Sequence, residues 1–205
     1  MLEEQKTELL SRFPDLTERK DCTYLAFNVA ESQFKKVLQA LRDDFGYSFL
    51  SNLTAVDWDS AENRFSVVYI LFNMTSSNYV GVNVVCADSE NPAIATVSDL
   101  WPAADWHERE VYDLFGITFT GHPDMRRILM WDSYPYHPLR KDFPLAGKPT
   151  DFPSDDVRER MGTTVLPAPM AGGPFTAGTG CSMHKMEPHA KDQSWNEKKT
   201  KPTAE

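Results

Sequence analysis

The sequence predicts an α+β protein: a mostly antiparallel four-stranded sheet with helices packed on it, then a short helix and a long extended C-terminal segment. Three observations predict it. Residues 65–72, FSVVYILF, form an almost continuously apolar, β-branched run, and a polar turn at 73–78 leads into a second such run at 79–87, YVGVNVVCA. Residues 32–45 place Phe34, Val37, Leu38, Leu41 and Phe45 at the spacing of one helix face. From 117 to 145 the chain stays apolar but is broken by Pro123, Pro135, Pro138 and Pro144, which no long helix or central strand tolerates.

In chain order, residues 2–13 carry Leu2, Leu9, Leu10 and Phe13 at roughly helical spacing and stop at Pro14, so a short first helix is expected. Residues 23–29, TYLAFNV, alternate as a strand does. The helix over 32–45 has Ser32 as its expected N-cap and Gly46 just past its end. Residues 48–57 read as a half-buried strand, 57–63 as a turn, 65–72 as a central strand, and 79–87 as the strand pairing back on it. Asn91-Pro92 reads as an N-cap followed by proline at the first helical position. That opens an expected helix with Ile94 and Val97 inward, ending before Pro102.

The next helix is short and tightly bounded. Asp105 with Glu108 three residues on reads as a capping box, and Gly116 supplies the positive-φ residue that ends many helices, leaving Trp106 to Phe115 as about three turns. Trp106, Arg109, Glu110, Asp113 and Leu114 share one face. Either that face is solvated, or other chain covers it and its charges are paired, because an unpaired buried charge is too costly. Arg109 and Asp113, four residues apart, are positioned to pair.

Composition narrows the function. The chain has 205 residues and a net charge of −9. Residues 1–100 hold 8 Lys+Arg against 15 Asp+Glu, whereas 101–150 hold 6 against 7. No basic stretch offsets the acidity, which argues against nucleic-acid binding. Cys22, Cys86 and Cys181 are odd in number and widely spaced, as expected of a reducing compartment rather than of a disulfide framework or an iron–sulfur ligand set. There is no glycine-rich phosphate cradle, so no nucleotide or flavin site is expected. The start, MLEEQKTELL, lacks a basic presequence, and no apolar run is long enough to span a bilayer.

Three blocks carry the most specific signal. They are Glu108-Arg109-Glu110-x-x-Asp113-Leu114-Phe115-Gly116, then Gly121-His122-Pro123-Asp124-x-Arg126-Arg127-Ile128-Leu129, then His137-Pro138-Leu139-Arg140-Lys141-Asp142-Phe143-Pro144-Leu145. In residue type, order and spacing they closely resemble the signature of the 30-kDa-subunit family of respiratory complex I, the C component of the proton-pumping NADH-quinone oxidoreductase. The resemblance implies an α+β domain followed by an extended segment lying on a neighbouring subunit. It implies a scaffold subunit that helps electron transfer from NADH to quinone without redox groups of its own. The flavin mononucleotide and iron–sulfur clusters are then expected in partner subunits, and the chief partner is the quinone-site subunit, the D component of that enzyme. Association with the membrane is expected to be peripheral, through the complex, on the cytoplasmic side of a bacterial inner membrane.

On this reading the partner interface comprises Trp106, Glu108, Arg109, Glu110, Asp113, His122, Arg126, Arg127, Trp131, His137, Arg140 and Lys141. Trp131, Tyr134 and Tyr136 are its expected apolar anchors, and the arginines are expected to meet carboxylates or carbonyls. The chain divides into 1–116 as the α+β domain, 117–145 as the partner-binding segment, and 146–205 as a Pro/Gly-rich tail, disordered or ordered only on a partner. Two alternatives stay open. One is the equivalent subunit of an energy-converting hydrogenase or related quinone reductase. The other is a stand-alone metal-dependent hydrolase using His122 and His137 with Asp124 and Asp142. In the tail, Cys181, His184 and His189 supply too few ligands for a structural zinc site.

Overall fold

The structure is a computed structural model that describes residues 2–60, 63–132 and 134–144. The tail reading for 146–205, and the zinc-ligand reading within it, lie outside the described residues. The chain forms two units, Met1–Ile128 and Leu129–Glu205.

The first unit contains α1 (Leu2–Arg12), β1 (Thr17–Arg19), β2 (Leu25–Val29), α2 (Phe34–Asp43), β3 (Phe49–Asp57), β4 (Phe65–Asn73), β5 (Asn78–Val85), β6 (Ala93–Ala95), α3 (Ala104–Phe115) and β7 (Thr118–Thr120). Five strands make the main sheet in the order β1-β2-β5-β4-β3. Every pairing in it is antiparallel except β2 with β5, which run parallel from Leu25↔Val80 to Val29↔Val84. The four anticipated strands are therefore present, joined by the short edge strand β1. Three polar residues, Thr17-Glu18-Arg19, carry no hydrophobic period that could announce it.

Alternation sets the core. Val67, Tyr69 and Leu71 of β4 and Val80, Val82 and Val84 of β5 are buried together with Phe34, Val37, Leu38 and Leu41 of α2. Burying each such side chain contributes about 1.5–3 kcal/mol. The helix α2 begins without a side-chain cap: Gln33 occupies the cap position, not Ser32. A turn replaces the cap, because the Ala30 carbonyl accepts from the N–H groups of both Gln33 and Phe34. Gly46 does follow α2 as expected. Its φ is +75°, and an added Cβ would lie 3.1 Å from Asn73 Nδ2, so the position is tight as well as left-handed. Asn73 Nδ2 donates to the Phe45 carbonyl at 2.9 Å, tying the β4–β5 turn to the end of α2.

The helix expected after Asn91-Pro92 does not form. Residues Ala93–Ala95 are β6, paired in parallel with β7 through Ala93↔Thr118, Ile94↔Phe119 and Ala95↔Thr120. The physical reason is that a strand partner is available. The Thr118 N–H donates to the Pro92 carbonyl and the Thr96 N–H to the Thr120 carbonyl, so the backbone is satisfied without a helix. Ile94 and Val97 are still buried, as a helix would have them. One turn at 97–101 is all the helical structure left, with the Leu100 and Trp101 N–H groups donating to the Val97 carbonyl. Residues 117–128 belong to the first unit, with Ile117 and Phe119 buried in its core.

In the second unit, aromatic rings follow one another along the chain. Trp131 and Tyr134 meet edge to face at 4.7 Å, Tyr134 and Tyr136 at 5.7 Å, and Tyr136 and Phe143 are tilted at 5.9 Å. Backbone turns carry the rings: the N–H groups of Tyr134, Arg140 and Phe143 donate to the carbonyls of Trp131, His137 and Arg140.

Candidate functional site

The site is built on α3 and on the segments that flank the β6–β7 pair. Parallel pairing brings the residues just past both strands, Thr96 and His122, to the same end of the ladder. The first turn of α3 lies there too.

The helix starts at Ala104, with Ala103 at the cap and no side-chain cap bond, so the expected Asp105–Glu108 capping box is absent. Glu108 instead reaches across to the segment after β6. Its Oε2 accepts from the Thr96 hydroxyl at 2.5 Å and its Oε1 from the Val97 N–H at 2.7 Å. Burial pushes the Glu108 carboxyl above its ordinary pKa; the bonds from Thr96 and Val97 and the nearby His122 and Lys35 oppose the rise. At the other end Gly116 closes α3 as predicted, with φ 73°.

The charged face is divided: its Arg109 and Asp113 are buried, while Trp106 and Glu110 are exposed. Glu108 and Asp113 are 0 % exposed and Arg109 is 5 % exposed. The pairing of Arg109 with Asp113 anticipated from their spacing does not form. Asp113 Oδ1 accepts from Arg127 Nη1 at 2.6 Å, and Asp113 Oδ2 from the Ile128 N–H at 3.0 Å. The same Arg127 nitrogen donates to the Asp113 carbonyl at 3.1 Å. Arg109 Nε donates to the Arg126 carbonyl at 3.3 Å, and its guanidinium lies 4.8 Å from the centre of the Trp106 ring. The segment 121–128 is thus a strap fastened to α3 by Arg109, Asp113 and Arg127.

His122 is the strap's other fastening, and its side chain is fully buried. Its Nδ1 accepts from the Asp124 N–H at 3.0 Å, so Nε2 carries the ring proton. Nε2 lies 3.2 Å from Asp105 Oδ1, 3.3 Å from the Asp105 carbonyl and 3.9 Å from Glu108 Oε2. Trp106 (62 % exposed), Glu110 and Arg126 face outward, and Arg126 pairs at the surface with Asp124. Trp131, His137, Arg140 and Lys141 lie in the second unit, where Trp131 belongs to the aromatic series and Lys141 is exposed.

Sequence reasoning missed Thr96, Val97 and Ile128, which supply a hydroxyl and two backbone donors. A lone threonine and two main-chain N–H groups carry no spacing signal that could find them.

Among the described residues no group of three or more His, Cys, Asp or Glu is placed to hold a metal ion. The carboxylates of Glu108 and Asp113 are spent on the chain's own donors. What the geometry defines is an α+β module whose motif charges lock one of its own segments in place. The chain belongs to the family described as respiratory-chain NADH dehydrogenase, 30 Kd subunit, whose model matches residues 27–149. It is 42% identical over 131 residues to the C subunit of the NADH-quinone oxidoreductase of Citrifermentans bemidjiense, covering 62% of this chain and 81% of that one. It is 43% identical over 147 residues to the C subunit of Paramagnetospirillum magneticum, covering 71% and 72%. With a C/D polypeptide of the NADH-quinone oxidoreductase of Aquifex aeolicus it shares 42% identity over 129 residues, 62% of this chain and 22% of that one. The chain spans about a quarter of the length of such C/D relatives.

Two solved structures share the fold. One is "Nqo5 of the trypsin-resistant fragment (1-134)", at TM-score 0.53 and 32% identity, covering 60% of this chain and 98% of that one. The other, from the membrane-bound sulfane sulfur reductase described as an archaeal respiratory membrane complex, has TM-score 0.60 and 26% identity, covering 79% and 92%.

Proposed function

We propose that this chain is a scaffold subunit of the peripheral arm of a proton-translocating NADH-quinone oxidoreductase, without a redox group of its own, and that it holds the quinone-site subunit. The observation that carries this reading is the fate of the motif charges. Glu108, Asp113, His122 and Arg127 are engaged within the chain, so they shape a surface rather than act on a small molecule. Trp106, Glu110, Arg126 and Lys141 remain outward as contacts for a partner. Relatives named as C/D polypeptides support the choice of partner, since fusion keeps two modules at high effective concentration. Flavin mononucleotide and iron–sulfur clusters then belong to other subunits. No helix among the described residues is long and apolar enough to cross a membrane. On this reading the chain reaches the membrane through the complex, on the cytoplasmic side.

The test is co-expression of the full chain with the quinone-site subunit of the same organism. A one-to-one complex stable through gel filtration is expected. A chain that elutes alone at micromolar concentration, while the partner assembles without it, would refute the reading. A second reading, the equivalent subunit of a related respiratory reductase or hydrogenase, is favoured by the likeness to the sulfane sulfur reductase complex. The subunits that co-purify from the native membrane decide between the two. The hydrolase reading finds no support in the geometry of His122, because both of its ring nitrogens face partners from the chain itself.

A further inference from the structure

The cluster Asp105, Glu108 and His122 does something the scaffold reading does not require. His122 Nδ1 accepts the Asp124 N–H across Pro123, at 3.0 Å. This is the two-residue span over which an Asn or Asp side chain closes an Asx turn. Accepting that bond keeps Nδ1 unprotonated and leaves the ring's one proton on Nε2, facing Asp105. A second proton can enter only at Nδ1. There it would stand donor against donor with the Asp124 N–H, and the turn would lose its bond. The resulting imidazolium would not be expelled, because two carboxylates already face it. Asp105 Oδ1 is buried and lacks a well-aligned donor, and Glu108 Oε2 is 3.9 Å from Nε2.

Other titratable groups lie near the cluster. Lys35 of α2 donates to the Thr96 carbonyl at 2.9 Å and pairs with Asp99 at 2.9 Å. Tyr69 of β4 brings a buried hydroxyl into the field of Glu108. The Asp124 carboxylate is held by Arg126, and Arg109 is committed to the Arg126 carbonyl and Trp106. None of these offers Nδ1 an alternative acceptor.

We propose that His122 is a proton-operated latch on the strap: neutral imidazole closes the turn at Asp124, and imidazolium opens it while Asp105 and Glu108 keep the ring in place. The turn lies just ahead of Arg126 and Arg127, so opening it alters the charged surface beside α3. The inference does not depend on which partner the chain binds.

The experiment is NMR on the full chain, with 15N-labelled histidine and amide-exchange protection followed from pH 8 to pH 5. At pH 8 His122 should show the Nε2–H tautomer. As its ring titrates, the protection factor of the Asp124 amide should fall at least threefold. In His122→Asn, whose amide oxygen can take the role of Nδ1 and cannot titrate, protection should stay level. Constant Asp124 protection through the wild-type titration overturns the latch. So does a histidine ring that never titrates in the folded chain, or an equal fall in the Asn variant. Should that variant fail to fold, the wild-type tautomer and exchange data still decide.

Discussion

Replacing Asp113 by alanine tests the lock between α3 and the strap. The carboxylate is fully buried, and Arg127, its partner, has a side chain only 10 % exposed. Alanine removes the acceptor of the 2.6 Å bond from Arg127 and of the 3.0 Å bond from the Ile128 N–H. Breaking a buried pair by deleting one partner costs about 3–5 kcal/mol, because the other charge stays behind without its counterion. For a chain of this size each kcal/mol lowers the melting temperature by about 2–4 °C, so a loss of roughly 6–20 °C is expected. Asp113→Asn keeps an acceptor for Ile128 and should cost about 1–3 kcal/mol. The internal control is the surface pair Arg126–Asp124, whose side chains are 67% and 54% exposed. Breaking that pair should cost less than about 1 kcal/mol. Urea unfolding of the full chain, with an Asp113/Arg127 double-mutant cycle, measures all three. If Asp113→Ala costs no more than the Asp124 variant, the charges do not fasten the strap and the reasoning fails. If the cost is as large as expected, loss of assembly in the alanine variant follows from a loosened surface rather than from a lost chemical step.

Other predictions concern single groups. Because burial raises the folded-state pKa of Glu108, the folded chain holds a proton that the unfolded chain has released, and stability falls as pH rises from the ordinary carboxylate range to that raised value. Glu108→Gln should flatten this part of the profile at a cost of less than about 1.5 kcal/mol near pH 7, read from urea midpoints at pH 5 and pH 8. Burial pushes the Cys86 thiol up to about 12, so at pH 8 a maleimide should modify Cys22 before Cys86, and Cys86 only on unfolding, as mapped by mass spectrometry. Trp106→Ala removes an exposed ring that lies against Arg109, so the isolated chain should lose about 0.5–1 kcal/mol. Its affinity for the quinone-site subunit should fall about tenfold or more in titration calorimetry, and unchanged affinity would remove Trp106 from the interface.

The difference between what is legible in the sequence and what is not has a physical basis. Strands β3, β4 and β5 and helix α2 are readable because each presents a full hydrophobic period to one core. Gly116 is readable because a left-handed residue strongly favours glycine. The segment 93–95 reads as helix because Ile94 and Val97 turn inward in either structure, and the deciding factor, a free strand at 118–120, lies over twenty residues away. The site residues Glu108, Asp113, His122 and Arg127 stand out in the sequence, but their partners do not. Spacing reveals neighbours one turn along a helix, and suggests Arg109 for Asp113. The partners actually taken, Arg127 and Ile128, arrive from 14 and 15 residues downstream, on a segment that looks irregular. The requirement that buried charges be paired is a sound constraint; which pairs form is a property of the tertiary fold.

Why charges should be buried here at all follows from the shortness of the β6–β7 pair. Three paired residues hold a register only weakly through their backbone bonds: a one-residue shift would turn Phe119 out of the core, but a two-residue shift would keep it on the same face and forfeit only a few such bonds. Apolar contacts do not discriminate well between registers two residues apart, because they are non-directional. Charged hydrogen bonds do discriminate. Glu108 and Asp113 lie five residues apart on α3, roughly 7.5 Å along the axis. One seizes the chain just after β6 and the other seizes it at the end of the strap after β7. In any slipped register both carboxylates would be buried without their donors, at several kcal/mol each. Apolar residues of similar volume could match the stability of these pairs, but they could not impose that penalty on the alternatives. The blocks of the family motif on α3 and the strap are, by this logic, a register lock that fixes where the outward Trp106, Glu110 and Arg126 stand relative to one another.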